Sequence, residues 1–242
     1  WVERSRLDWR TLPARVEGVI EGRIARLEPA LRETLSVASV EGERFTAEVV
    51  AQIRRLGHQQ VLRSLSQLER RHRLVRERGG AVVDHQRLSR YQFSHILFQR
   101  YLYGALSAAQ RRLLHGQIAR ILEDLYKGRT GEIAVRLAGH YAAAEEREKA
   151  VQYLLEAADQ ARGLYAYQEA INYYQRALVF LKELREHGRA ARTLMKLGLT
   201  YHLALDFPRT RQAYEEGFTL WQRAGEIQEE APPLPAPHAL RV

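Results

Sequence analysis

Apolar residues recur at three- and four-residue intervals along most of this chain, with polar residues filling the positions between them. That spacing is typical of α-helices that bury one face. It predicts one or two helices over residues 13–36, with Pro13 in a first turn, and another helix for which Thr46 is the N-cap. A further helix carries arginines on its polar side. The predicted inward residues are Val16, Val19, Ile20, Ile24, Leu27, Leu31, Leu35, Ala38, Val49, Val50, Ile53, Val61, Leu62, Leu65 and Leu68.

The helical period stops after about residue 73. Two short β-prone runs, one around Val75 and one around Tyr91, flank the diglycine Gly79–Gly80. A diglycine between such runs predicts the turn of a β-hairpin. Helices followed by a two-stranded hairpin resemble a winged-helix domain, so we expect a winged-helix-like module over residues 13–105.

Helical spacing returns after the hairpin. Ser107 is a predicted N-cap, and the inward face that follows it holds Leu113, Leu114, Ile118 and Ile121. We expect connecting helices over residues 106–130. Residues 1–12 are expected to be the tail of a preceding domain. Residues 226–242 hold four of the seven prolines and predict an extended linker.

Residues 131–225 repeat a pattern of small and large apolar positions that resembles tetratricopeptide repeats, in which small residues let antiparallel helices approach closely. An ordinary helical bundle could mimic one such unit but hardly three. The third unit lies about six residues further on than a regular repeat of about 34 residues allows, so we expect longer helices or a loop near residues 184–192. The matched positions are Leu137, Ala138, Tyr141, Ala150, Leu154, Ala157, Ala158, Ala170, Tyr174, Ala177, Leu194, Leu197, Gly198, Tyr201, Thr210, Tyr214 and Gly217. The predicted fold class is therefore mainly all-α, a winged-helix-like module followed by an α-α superhelical array.

The charge of the chain is uneven. Residues 1–130 carry 24 Lys and Arg against 14 Asp and Glu, whereas residues 131–242 carry 14 against 15. The two halves are therefore expected to meet different partners. Cysteine is absent, which excludes disulfides and thiolate chemistry and fits the cytoplasm, and no apolar run is long enough to span a membrane.

Two stretches, LPARVEGVIEGRIARLEPALRETLSVASVEGERFTAEVV and YQFSHILFQRYLYGALSAAQRRLLHGQIARILE, together with the repeats, resemble the middle of bacterial STAND-type signalling ATPases. The resemblance implies an NTPase domain upstream, ATP or ADP in the complete protein, no cofactor in this fragment, and a nucleotide-controlled switch whose repeats sense a partner. In that family a histidine at the end of the winged-helix domain can touch the nucleotide phosphates, and FSHIL puts His95 near the matching position. The alternative is that His95 only caps a helix or packs beneath the hairpin.

Residue patterns that carry catalysis are missing from the sequence. There is no G-x-x-x-x-G-K-[ST] phosphate loop, no H-E-x-x-H pair and no G-x-S-x-G elbow. Adjacent acids such as Glu145–Glu146 point in different directions on a helix and are expected to be solvated. We therefore predict a chain that is not an enzyme and binds no metal.

Two functions remain open. The first is a regulatory or sensor module whose repeats form a groove for a protein, a peptide or a small ligand. The predicted groove residues are Arg136, His140, Tyr165, Lys196, Thr200 and His202. The alternative is a DNA-binding regulator that uses the arginine-rich helix and wing. Its predicted contact residues are Arg63, Arg70, Arg71, Arg73, Arg76 and Arg78.

Overall fold

The computed structural model describes residues 14–83 and 86–225. Within these ranges the chain forms eleven α-helices, one 3-10 helix and three β-strands. It divides into two compact units, with the boundary between Gly128 and Arg129. The mainly helical class is confirmed, with a small sheet. Pro13, the predicted tail at 1–12 and the predicted linker at 226–242 lie outside the described residues.

The first unit is built from six helices and the sheet. Their bounds are α1 (Ala14–Ala25), α2 (Pro29–Glu41), β1 (Arg44–Thr46), α3 (Ala47–Arg54), α4 (His58–Arg70), β2 (Val75–Val83), β3 (Gln86–Phe93), α5 (Ile96–Ala105) and α6 (Ala108–Leu125). Helix α6 packs against α2 and α3, so it belongs to this unit rather than standing apart as a connector.

The core of the first unit lies between its helices and one face of the sheet. Leu35, Val50, Leu65 and Leu68 are fully buried there, as their helical spacing predicts. Val19 differs from the prediction, because 65% of its surface is exposed. The buried residues here are Ile20, Ile24 and Leu27, which are four and three residues apart. Val19 is turned by about 100° from Ile20 around the helix axis and therefore faces solvent.

The sheet is antiparallel in the order β1-β3-β2. Phe45 pairs with Tyr91, and Val75 pairs with Phe93, so these four side chains share one face. All four are buried, and the rings of Phe45 and Phe93 lie 5.4 Å apart. The sheet thus closes the apolar core on one side.

The diglycine does not form the hairpin turn that was predicted for it. Gly79 and Gly80 lie inside β2, where the pairing with β3 shifts between Glu77 and Gly80. Gly79 has φ +81°, which favours glycine, and a Cβ on Gly80 would lie 3.2 Å from the carbonyl oxygen of Leu88. The pair therefore makes a bulge with a close backbone approach. Residues 84 and 85, which join β2 to β3, lie outside the described residues.

The predicted cap at Ser107 is confirmed as a reciprocal capping box. The Ser107 hydroxyl accepts from the Gln110 N–H at 3.2 Å, and the Gln110 side chain accepts from the Ser107 N–H at 2.9 Å. Ile118 is buried in α6, but Leu113 is 61% exposed, contrary to its predicted inward position. Thr46 occupies the predicted N-cap position of α3, although its hydroxyl donates to Glu41 at 2.8 Å instead of capping.

The second unit is an unbroken run of helices. It contains a 3-10 helix (Thr130–Ile133), α7 (Ala134–Ala143), α8 (Arg147–Gly163), α9 (Tyr167–Glu183), α10 (His187–Leu203) and α11 (Phe207–Ala224). Each helix packs against the next one in the chain. Helices α9 and α10 have 17 residues each and are separated only by residues 184–186. Longer helices, rather than a loop, therefore account for the lengthened repeat.

The links between these helices repeat every twenty residues. Glu145, Tyr165, Arg185 and Leu205 all have φ near +60°. In each link the next residue donates its N–H to the carbonyl five positions back, as from Glu146 to Tyr141 at 2.9 Å. This is the pattern of a Schellman-type helix end. One link geometry, repeated four times, thus sets each pair of helices antiparallel.

Small residues lie where these helices meet. Ala138 and Ala158 are fully buried, and Gly198 is buried against α11. Ala150, Ala170 and Ala190 occupy the same position near the start of successive helices and are at most 1% exposed. Close helix approach at small side chains is the packing that the spacing predicted.

Candidate functional site

The structure separates the six predicted groove residues into surface and core. Tyr165, Lys196 and His202 are exposed, and Arg136 is half-buried. His140 is only 7% exposed and Thr200 is fully buried. The Thr200 hydroxyl donates to the Lys196 carbonyl at 2.7 Å, which satisfies it inside its own helix. His140 and Thr200 therefore do not line a groove, contrary to the prediction.

Two of the exposed members share one helix. Lys196 and His202 are six residues apart on α10 and lie about 120° apart around its axis, at the two edges of one broad face. His202 contacts the ring of Phe207, with centroids 5.7 Å apart. Tyr165 lies in the link between α8 and α9, 6.2 Å from the ring of Tyr167.

A polar network that was not predicted joins three helices of the second unit. Asp159 of α8 accepts from the Tyr174 hydroxyl of α9 at 2.5 Å and from the Lys196 ammonium of α10 at 2.7 Å. The Arg162 guanidinium lies 3.6 Å from the same carboxylate. The sequence offered one signal for a role of Asp159, which is its position next to Ala158, a small residue of the predicted repeat.

Electrostatics fix the protonation states in this network. Burial alone would raise the pKa of Asp159, but hydrogen bonds from Lys196 and Tyr174 and the charges of Lys196 and Arg162 outweigh it, so the pKa lies below its ordinary value. Burial, followed by the hydrogen bond and charge of Asp159, raises the pKa of Tyr174. General acid-base catalysis requires a group whose pKa lies near neutrality, and these shifts move the pKa values of Asp159 and Tyr174 away from it. The network ties helices together.

The Lys196–Asp159 bond also defines a surface. It joins a side chain of α8 to one of α10, and residues forty apart in sequence occupy equivalent positions along these two helices because the links repeat every twenty residues. We call this surface the ladder face. Its members are Gln152, Glu156, Asp159 and Arg162 of α8 and Arg192, Lys196, Leu199 and His202 of α10. All eight are exposed or half-buried.

A cleft of about 350 Å³ lies between α9 and α11, with α10 as its floor. Leu194, Leu197 and Tyr201 form that floor. Lys182 and Glu216 bridge the two walls at 2.8 Å, and Gln175 donates to the Tyr201 hydroxyl at 2.9 Å. The polar groups at its edge are thus largely engaged with one another.

The six arginines of the DNA hypothesis are all exposed or half-buried. They extend from the outer side of α4, through Arg71 and Arg73 after its end, to Arg76 and Arg78 on β2. Arg78 donates to Gln92 at 2.8 Å, whereas the other five form no ion pair with any described residue. In the same unit, by contrast, Arg54 pairs with Glu33 at 2.6 Å. The positive charge of these five arginines is therefore not neutralised by an ion pair within the described residues.

His95 is the N-cap of α5. Its Nδ1 accepts from the Leu97 N–H at 3.2 Å, and the side chain is exposed. This is the capping arrangement that the alternative interpretation of His95 described. No other hydrogen bond of its ring to a described residue is present.

Over the described ranges, no three His, Asp or Glu side chains are grouped as metal ligands. No helix within residues 14–83 and 86–225 is long and apolar enough to cross a bilayer. Comparison with family models, with curated proteins and with solved structures finds no match for this chain. The resemblance to STAND-type ATPases therefore stays a prediction.

Proposed function

We propose that the chain is a non-catalytic regulatory module, in which a winged-helix-like switch unit precedes a tetratricopeptide-type array that binds a partner protein or peptide. In the first unit the element order α2-β1-α3-α4-β2-β3 and the sheet order β1-β3-β2 support the winged-helix assignment. Following the resemblance to STAND-type ATPases, this unit would transmit the nucleotide state of an NTPase domain to the array.

The repeated link geometry supports the array. Helices of similar length that turn back at Glu145, Tyr165, Arg185 and Leu205 bury their small residues against each neighbour. In a repeat protein each unit contacts only its neighbours, so the array presents an extended surface suited to a long, thin partner.

The observation that carries the proposal is the Lys196–Asp159 bond at 2.7 Å. It links α8 to α10 within the ladder face, whose members include the apolar Leu199 (39% exposed) together with acidic, basic and imidazole groups. An apolar contact surrounded by polar groups is typical of peptide recognition, in which the apolar anchor supplies affinity and the polar rim supplies specificity.

Peptide selection against the whole chain tests this proposal. Peptides enriched from a random library should bind the Leu199→Ala, His202→Ala double variant about tenfold more weakly than the wild type. The matched control is Val179→Ala with Gln168→Ala, which truncates an exposed apolar and an exposed polar residue on α9. Thermal melting of each variant verifies the fold. Failure to enrich any peptide, or equal losses in both double variants, would contradict the proposal.

The accessible and unpaired arginines favour DNA binding by the first unit as a second candidate function. Such binding should weaken steeply with salt, because each phosphate contact releases condensed counterions. Charge reversal at Arg70, Arg71 and Arg73 should lower both the affinity for a duplex and the slope of its salt dependence, by about one for each phosphate that the protein no longer neutralises.

The control for that experiment reverses three exposed arginines in the second unit, Arg176, Arg185 and Arg223. It changes the net charge equally, and it should leave duplex affinity within about twofold of the wild type if the surface of the first unit is responsible. Absence of any duplex binding by the wild type at low salt removes this candidate.

A further inference from the structure

A cleft of about 530 Å³ in the first unit is used by neither proposed function. It lies between the end of α3, the start of α4 and the first residues of β3. Ala51 and Leu88 supply a buried apolar floor, and Arg55, His58 and Arg87 stand at its edge. The volume is within the range of about 300–1,000 Å³ that small-molecule sites occupy.

The two arginines reach the cleft from different elements. Arg55 ends α3 in a left-handed conformation, with φ +53°, and its N–H donates to the Ala51 and Gln52 carbonyls. Arg87 stands on β3 and lies against Gly80, where an added Cβ would come within 3.3 Å of its Cγ and Nε atoms. The glycine in the β2 bulge thus leaves room for the Arg87 side chain. Neither guanidinium forms an ion pair with a residue in the described ranges.

Glu48 is the acidic group in this cleft. Its two carboxylate oxygens accept from the Ser89 N–H at 2.9 and 3.0 Å, and one lies 3.7 Å from Nε2 of His58. Its side chain is 15% exposed. The Glu48 carboxylate is therefore directed at the backbone of β3. Because the lining holds two guanidinium groups and one carboxylate, its net charge is positive.

We propose that this cleft binds a phosphate ester, with the phosphate between Arg55 and Arg87 and the organic part on Ala51 and Leu88. A tetrahedral phosphate offers oxygens in several directions, so it can accept from guanidinium groups that approach from two elements. A carboxylate has two oxygens in one plane, which suit a single guanidinium fork. The apolar floor favours an ester over the inorganic ion.

Titration of the full chain with phenyl phosphate, followed by amide NMR shifts, tests the assignment. Residues of the cleft should shift, and benzoate and phenol should bind at least about tenfold more weakly. Arg55→Gln and Arg87→Gln should each weaken phenyl phosphate binding about tenfold or more. Gly80→Ala should weaken it without changing the charge, because the added methyl group displaces Arg87. Arg26→Gln removes an exposed arginine outside both the cleft and the predicted DNA surface, and it should have no effect.

A short DNA duplex distinguishes the two sources of such a phosphate. If Arg55→Gln and Arg87→Gln weaken duplex binding as well, the cleft takes a backbone phosphate of DNA. If they weaken only phenyl phosphate binding, it takes a free organic phosphate. Should benzoate bind as well as phenyl phosphate, or should both variants bind phenyl phosphate like the wild type, the assignment is wrong. A wild type that fails to bind the duplex removes only the DNA candidate.

Discussion

Gly198 and Tyr214 fit together across the contact between α10 and α11. A Cβ on Gly198 would lie 2.7 Å from Cε1 of Tyr214, closer than two carbon atoms approach without strain. The absence of a side chain at position 198 thus makes room for the aromatic ring.

Gly198→Ala should destabilise the second unit by about 1–2 kcal/mol, because overpacking outweighs the helix propensity that alanine adds. In a Tyr214→Ala background the same change should stabilise by up to about 1 kcal/mol, since only the propensity term remains. Denaturant unfolding of the four proteins in this cycle measures the change of sign. Gly139→Ala is the control, because a Cβ there would meet nothing within 4 Å. Destabilisation in both backgrounds would refute the ring as the cause.

Leu205 adopts a left-handed conformation, with φ +61°, in the last of the repeated links. An L-residue pays about 1–2 kcal/mol for this conformation, whereas glycine does not. The side chain is 74% exposed, so its removal forfeits little burial. Leu205→Gly should therefore raise the free energy of unfolding by about 0.5 kcal/mol, after the greater entropy of the unfolded glycine chain is allowed for. Leu199→Gly, inside α10 at a partly exposed position, should lower it by about 1 kcal/mol. Equal losses at both positions would exclude the backbone explanation.

The helices and their buried faces could be predicted because apolar spacing records burial directly. The small residues at 138, 158 and 198 were correctly placed for the same reason, since only small side chains fit where helices touch. The hairpin turn was predicted wrongly at Gly79–Gly80 because glycine is common in both turns and bulges. Which of the two forms here depends on the register between β2 and β3.

Site residues were harder to predict than the fold. Thr200 is polar, but its hydroxyl bonds to its own helix, so polarity did not signal exposure. Asp159 was missed because its partners come from α9 and α10, fifteen and thirty-seven residues away. A network of this kind depends on how three helices are aligned, and local spacing does not encode that alignment.

His115 makes the first unit sensitive to mild acid. Its Nε2 lies 3.0 Å from the Tyr103 hydroxyl. Burial, together with the charge of Arg111, lowers its pKa. A histidine whose folded pKa is lowered stabilises the fold fully above its unfolded pKa of about 6.5, and this stability declines as the pH falls from there towards the folded pKa. Between about pH 7.5 and 5, the wild type should lose more stability than His115→Gln, which cannot titrate. Parallel pH profiles would show that His115 does not titrate in this way.

Asp159 should make the second unit sensitive to stronger acid. Its lowered folded pKa means that the network stabilises fully above the unfolded value of about 3.9 and loses this contribution as the pH falls through the folded pKa. Near neutral pH, Asp159→Asn should cost about 1 kcal/mol, a figure already reduced for the partial exposure of the carboxylate. The unfolding free energies of wild type and variant should converge as the pH falls below about 4.

Glu169→Gln removes one negative charge from an exposed position of α9 that has no ion-pair partner among the described residues. It should cost no more than about 0.5 kcal/mol, because Glu169 interacts with the helix dipole in the first turn of α9, and it should not change the pH range over which the Asp159 contribution is lost. Lys196→Met should reproduce part of the Asp159→Asn loss at neutral pH, since it removes the hydrogen bond at 2.7 Å but leaves Tyr174 in place. If Asp159→Asn stays less stable than the wild type by the same amount down to about pH 2, the carboxylate charge is not what stabilises the contact between α8, α9 and α10.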